Sequence, residues 1–280
     1  MKNLYFTIVI PLYNKSYSIR RCLDSVLSQS YLNYYIILVD DGSTDESLSI
    51  VEDVYRKEIS TNILKVIRQP NKGVSAARNA GVEASSTDLI CFLDADDEWL
   101  PDFLIKMKQL VNDFPNAVLY SFAHFVDKGK GIRKVSQSFP ENFKGYVNDF
   151  FGTSSRGSVV NSSKVCVRKD ALLNVGGFPC GVVAGEDLHV WIMLALKGRV
   201  VFSMDYLAII HQEADGSRFA RKLSVPYPFI FFSSNKKMKK GKGLNKYLFS
   251  IFIKHFVSSV ISFKFKEASY RLYYFVRMFI

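Results

Sequence analysis

Leu89-Ile90-Cys91-Phe92-Leu93-Asp94-Ala95-Asp96-Asp97 runs five apolar residues straight into three carboxylates. An uninterrupted apolar run of this length has the form of a strand buried on both faces, which here delivers its last residues to the surface. Carboxylates this close repel one another, so their ionisation is costly unless bulk water or a hard cation neutralises the field. Mg²⁺ and Mn²⁺ take oxygen ligands and keep substrate phosphates among their partners, so the stretch points to a metal-bound phosphorylated ligand. Helices also favour Asp at their start, so Asp96 or Asp97 could instead cap a helix following Glu98, Trp99, Leu100 and Pro101. A single cap accounts for one acid only.

Upstream of this strand, strand-like and helix-like segments alternate. Phe6 to Ile10 is apolar and β-branched, and Ile19, Cys22, Leu23, Val26 and Leu27 follow at the spacing of a buried helix face. Tyr35 to Val39 reads as a second strand, Leu48, Val51, Val54 and Tyr55 as a helix face, and Leu64 to Ile67 as a third strand. Apolar strands separated by helices predict an α/β fold with a mostly parallel sheet covered on both faces, whose ligands sit at the carboxyl ends of the strands. Pro11-Leu12-Tyr13-Asn14, Asp40-Asp41-Gly42-Ser43 and the acid cluster all fall there. From Glu141 to Asn161 the chain is polar and without clear periodicity, open to reading as an acceptor-binding loop or a bare connection. Val165-Cys166-Val167, a helical stretch through Leu172 and the turn Gly176-Gly177-Phe178 follow. Gly185-Glu186-Asp187 then heads a helix with Val190, Trp191, Leu194 and Ala195 on its apolar face.

A chain of 280 residues can bury a sizeable core. Its net charge of +11 is unevenly spread: beyond residue 220 there are 13 Lys and Arg against one acid, Glu267, while the first 220 residues hold 24 basic and 25 acidic groups. Cys22, Cys91, Cys166 and Cys180 show no paired spacing and read as reduced core residues of a cytosolic protein. No signal peptide is expected, and no apolar run reaches the ~18 residues of a membrane span. A dinucleotide-dependent oxidoreductase would need a glycine-rich turn after the first strand, where Pro11-Leu12-Tyr13-Asn14 has none.

Taken in order, Ile8 to Asn14 (IVIPLYN), Val39 to Asp45 (VDDGSTD), Asn71 to Gly81 (NKGVSAARNAG), Phe92 to Asp97 (FLDADD), Gly176 to Phe178 (GGF) and Gly185 to Asp187 (GED) resemble the family 2 glycosyltransferases. The resemblance implies the GT-A (nucleotide-diphospho-sugar transferase) fold over residues 1–220, with a nucleotide-sugar half (1–125) and an acceptor half (126–220), and a basic helical extension at 221–280. It implies an inverting transferase taking a sugar, hexosyl or N-acetylhexosaminyl, from a nucleotide sugar, expected to be a UDP-sugar. The acceptor would be a glycan or lipid-linked glycan of bacterial cell-surface polysaccharide. Pro11, Leu12, Tyr13, Asn14, Asp41 and Arg78 would then line the base pocket, with Asp94 and Ala95 near the ribose. A stacked tyrosine ring and a carboxylate facing a ring N–H suit a uracil. Asp96 would hold a divalent cation, Mn²⁺ or Mg²⁺, with His211 as a further ligand. Asp187 would be the general base, beside Glu186. A metal-dependent nucleotidyltransferase and a catalytically degenerate membrane scaffold are the alternatives.

In the extension, Leu244, Tyr247, Leu248, Ile251, Phe252 and His255 share one helical face, preceded by lysines between Lys236 and Lys246. A basic amphipathic helix predicts contact with an anionic membrane from the cytoplasmic side, peripheral to the inner face. A helix packed on the body is the other reading. No nucleic-acid motif accompanies the charge, so nucleic acid is not expected as a partner.

Overall fold

The structure is a computed structural model describing residues 4–212, 225–235, 241–261 and 264–278. In chain order the elements are β1 (Phe6–Leu12), α1 (Ile19–Leu27), β2 (Tyr34–Asp40), α2 (Ser47–Val54), α3 (Arg56–Ser60), β3 (Leu64–Arg68), α4 (Val74–Ala84), β4 (Leu89–Phe92), β5 (Glu98–Trp99), α5 (Phe103–Asp113), β6 (Ala117–Asp127) and β7 (Ile132–Lys134). They continue as β8 (Lys144–Tyr146), α6 (Phe150–Ser154), β9 (Val165–Arg168), α7 (Lys169–Asn174), α8 (Glu186–Lys197), β10 (Arg199–His211), α9 (Tyr227–Ser234), α10 (Leu244–Ile261) and α11 (Phe265–Arg277). One sheet runs β3-β2-β1-β4-β9-β6-β10-β5, with β7 on β6 and β8 on β10.

The half that carries the alternating pattern is parallel: β1 pairs with both β2 and β4, and β2 with β3. Beyond β4 the sheet is mixed, since β9 joins β4 and β6 antiparallel while β10 runs parallel to β6. An apolar run records burial but not strand direction, so this change was not visible in the residue pattern. Successive side chains of β1 feed opposite layers: Phe6, Ile8, Ile10 and Leu12 pack with α1 and α5, and Val9 with Val82, Ile90 and Phe178. Each fully buried aliphatic or aromatic side chain contributes about 1.5–3 kcal/mol of transfer free energy.

Several sequence expectations change here. Val54 is exposed, and α2 is held instead by Val51 and by Tyr55, whose hydroxyl donates to Asp24 (2.8 Å). Neither Asp96 nor Asp97 caps a helix, because Glu98 and Trp99 form β5 and α5 begins at Phe103. Cys22, Cys91 and Cys166 are buried as expected, but Cys180 is exposed. Glu141 to Asn161 holds β8 and α6, three and five residues long and thus too short to show a period.

The face of α10 expected to meet lipid faces the body. Leu244, Leu248 and Phe252 are buried in the same layer as Trp191 and Phe229, with Tyr247, Ile251 and Phe256 packed against it. Burial of Arg271 pins α11 to α10, through donation to the His255 carbonyl (2.6 Å) and to the Ser259 hydroxyl. A second apolar stripe lies on the opposite side of α10, where Phe249, Ile253, Val257, Val260 and Ile261 are exposed. The lysines Lys236, Lys237, Lys239 and Lys240, counted in the basic cluster before this helix, lie outside the described residues. Among the described residues no helix is long and apolar enough to cross a membrane.

Candidate active site

The register Leu12↔Asp40 in β1 and β2, and Val9↔Phe92 in β1 and β4, brings three strand ends to one rim of the sheet. At the first, Asn14 adopts φ 50° and clamps the neighbouring turn. Its side-chain oxygen accepts from the Thr44 amide (2.8 Å), and its own amide donates to Ser43 (3.1 Å). Tyr13 beside it is exposed, whereas the Leu12 side chain is buried in the core. At the second strand end Asp41 is buried and accepts from Gln69 Nε2 (2.7 Å) and from the backbone amides of Lys72 (2.9 Å) and Gly73 (2.8 Å). Asp41 therefore fixes the loop that leads into α4 and brings Arg78 to the rim.

At the third strand end the carboxylates are individually partnered. Asp94 accepts from Arg78 (2.7 Å), and Asp96 from Lys15 (2.9 Å). Asp97 is buried and accepts from the Ser163 hydroxyl (2.5 Å) and the His211 amide (2.8 Å). Burial, reinforced by the charges of Asp94 and Asp96, holds the Asp97 carboxyl well above the usual range. Asp97 is thus a structural acid, while Asp94 and Asp96 keep part of their carboxylates exposed at the rim. The Ala95 side chain packs in the core, and its carbonyl accepts from Ser18 (3.0 Å).

Arg78 links this cluster to the second half of the chain. Its guanidinium lies 3.5 Å from Glu186 as well as 2.7 Å from Asp94, and sits over the Phe178 ring at 5.2 Å. Burial alone would lower the Arg78 pKa, but the charges of Asp94, Glu186 and Asp187 outweigh it and raise the value. Phe178 is held by the Asn79 amide, which donates to its carbonyl (2.7 Å) and accepts from its N–H (2.9 Å). A side chain at the preceding Gly177, with φ +66°, would also meet Asn79 Oδ1 at 2.9 Å, so the turn needs glycine there. Gly185 at φ +77° starts α8 under Pro226 and Tyr227, and the next residues are Glu186, buried, and Asp187, partly exposed.

His211 meets other acids. Its ring nitrogens lie 2.9 Å from Glu98 Oε1 and 3.6 Å from Asp127 Oδ2. Among the described residues no three His, Cys, Asp or Glu side chains converge on a cation site. The sequence reading missed Lys15, Glu98, Asp127 and Ser163. Ser163 binds the Asp94 amide and Asp97, and its carbonyl accepts from Trp99 (2.7 Å). The signal available for it was local, since Asn161 caps Ser163 as in an Asx turn.

A family model, Glycosyl transferase family 2, matches residues 7–170. EpsH of Bacillus subtilis (strain 168), named as a glycosyltransferase, is 34% identical over 154 residues, covering 54% of this chain and 44% of EpsH. The amylovoran biosynthesis glycosyltransferase AmsB of Erwinia amylovora is 32% identical over 177 residues, 61% of this chain and 58% of AmsB. The chain thus spans about half the length of the curated relatives it matches. Among solved structures, S. aureus TarS 1-349 in complex with UDP-GlcNAc superposes with a TM-score of 0.74 at 19% identity, covering 89% of this chain and 73% of that one. The mannosyltransferase PcManGT of Pyrobaculum calidifontis, in complex with GDP-Man and Mn²⁺, superposes at 0.66 and 17%, covering 97% and 75%. The sheet with its flanking helices is the GT-A arrangement, and the chain belongs to glycosyl transferase family 2.

Proposed function

We propose that the protein is an inverting glycosyltransferase that moves a sugar from a UDP-sugar to a hydroxyl of a glycan or lipid-linked glycan in cell-surface polysaccharide synthesis. The observation that carries this reading is the chain Asp94, Arg78, Glu186, which couples the acids at the end of β4 to the start of α8 through one buried guanidinium. Arg78 Nη2 is bonded to Asp94 and Nη1 faces Glu186, so the guanidinium holds both carboxylates at the rim in a fixed relation. The complexes of TarS with UDP-GlcNAc and of PcManGT with GDP-Man support a nucleotide sugar as donor. Tyr13 offers an exposed ring on which a base stacks, and Asp41 shapes the pocket by fixing Lys72 and Gly73.

Asp96 and Asp94 suit a divalent cation such as Mn²⁺ or Mg²⁺. Such ions bind through one or two carboxylates plus substrate phosphates, and the Asp96 carboxylate stays one-fifth exposed beside Lys15. When bound, the cation supplies positive charge to the departing nucleoside diphosphate. His211, engaged with Glu98 and Asp127, acts in this reading by ordering the strand that abuts Asp97. Asp187 removes the proton from the acceptor hydroxyl as that oxygen attacks the anomeric carbon opposite the diphosphate. The bond from that carbon to the donor oxygen breaks, and configuration inverts in one displacement.

The exposed stripe from Phe249 to Ile261, on a segment with strong basic excess, supports contact with an anionic membrane without spanning it. A second copy of the same surface would set like charges against each other.

The test is a panel of nucleotide sugars screened for metal-dependent thermal stabilisation, followed by transfer assays of Asp187→Asn. That variant should bind donor normally and transfer sugar at least ~10²-fold more slowly, the usual scale for losing a general base. Near-normal turnover in Asp187→Asn would assign the base elsewhere, and consumption of a nucleoside triphosphate in place of a nucleotide sugar would overturn the reading.

A further inference from the structure

Beside the start of α8 lies a cavity of about 410 Å³ between α6, α8 and α10. Its wall includes Leu188, the neighbour of Asp187, and Tyr247 from the C-terminal extension. The Tyr247 hydroxyl is pushed up by burial and then by the charge of Asp187, which ties this wall electrostatically to the proposed base. Trp191 also lines the cavity and is 3% exposed, yet its indole N–H has no acceptor among the described residues. The Ser154 hydroxyl, also on the lining, is likewise buried and unpartnered among the described residues. A buried polar group left unmade costs about 1–3 kcal/mol, so two such groups on the lining of one cavity leave hydrogen bonds that an occupant can complete. Aromatic faces beside hydroxyls suit a sugar ring, and two exposed cations, Arg156 and Lys254, stand on the lining as partners for an anion.

We propose that this cavity is an acceptor subsite for a hexose bearing a phosphate, with the sugar against Trp191, Ser154 and Tyr247 and the phosphate on Arg156 and Lys254. The proposal rests on the transferase reading, and it gives the basic extension a second task, that of closing the acceptor site. A sugar phosphate can be free or attached to a lipid, and the chemistry recognised here is common to both.

The test is calorimetry on the full chain with glucose 1-phosphate, glucose, inorganic phosphate and the decyl ester of glucose 1-phosphate, alongside a separate titration with UDP and Mn²⁺. Glucose 1-phosphate should bind at least about tenfold more tightly than glucose or inorganic phosphate, the equivalent of one charge-assisted hydrogen bond. Arg156→Ala and Lys254→Ala should each weaken it about tenfold, Trp191→Phe should weaken it while keeping a ring in place, and all three should leave UDP binding unchanged. Tighter binding of the decyl ester would assign a lipid-linked source and equal binding a soluble one, either sustaining the subsite. No binding of glucose 1-phosphate or its decyl ester, or binding indifferent to Arg156 and Lys254, would overturn it. Retained UDP binding in that case leaves the donor reading standing, whereas failure of UDP to bind the wild-type chain counts against the transferase reading itself.

Discussion

Replacing Arg78 with methionine keeps most of the side-chain volume and removes the cation that two carboxylates share. At an effective dielectric of about 20, unit charges at the observed 2.7 Å and 3.5 Å attract by about 6 and 5 kcal/mol. Most of that gross energy offsets the cost of taking the guanidinium out of water, and the Asp94 side chain, about a third exposed, is further screened. Glu186 is different, since its side chain is only 8% exposed and keeps a buried charge when Arg78 is gone. Removing one partner of such a pair costs about 3–5 kcal/mol, a large share of the ~5–15 kcal/mol that holds a domain folded. The assay is urea unfolding followed by circular dichroism, with Arg78→Met, Glu186→Gln and the double variant forming a cycle. The double variant should cost at least about 1 kcal/mol less than the two single changes together. A single-variant cost below ~1 kcal/mol with no coupling would refute the role of Arg78 as the tie between the two halves.

Gly81→Ala puts a methyl 2.4 Å from Val9 Cγ1, so the crowding of about 1–3 kcal/mol should outweigh the ~1 kcal/mol gain in helix propensity, and Val9→Ala should rescue it in thermal unfolding. Lys164 is fully buried, and burial drives its pKa well below the ordinary value, so the unfolded chain binds more protons between the folded value and about 10.4. Stability therefore rises with pH across that window. Lys164→Met should be more stable than the parent at pH 7, with the gap closing toward pH ~10.4, by at most about 1.4 kcal/mol per pH unit; a gap independent of pH would refute the buried amine as its cause. Phe249→Ser with Ile253→Ser should reduce co-sedimentation with anionic vesicles, and binding should fall as the screening length shrinks from about 10 Å at 0.1 M salt to about 3 Å at 1 M. Equal sedimentation of parent and variant would refute the exposed stripe as the lipid contact.

How far the residues alone led depends on the range of the interactions involved. β1 to β4 were legible because each buried strand is a short apolar run and each intervening helix repeats its apolar face. Asp94, Arg78 and Glu186 could be singled out, but their junction joins segments about a hundred residues apart, which no local pattern records. The separate fate of Asp97 follows from burial against Ser163 and His211, also distant in the chain. The apolar stripe of α10 predicts a lipid contact, with packing on the body as the other reading, and the body covers it; periodicity tells that a face is covered and not by what. Lys15 was missed since nothing in the stretch around it distinguishes it from a solvated lysine until Asp96 is set beside it.

Central to the proposed mechanism is that Asp94 and Asp96 serve a nucleotide diphosphate together with a divalent cation. Calorimetric titration of UDP, with and without Mn²⁺, into the parent chain and Asp96→Ala tests it most directly. The expected result is tight binding to the parent that depends on Mn²⁺, and loss of that dependence in Asp96→Ala. Equal affinity for UDP with and without Mn²⁺ in the parent, or an undiminished Mn²⁺ effect in Asp96→Ala, would contradict it.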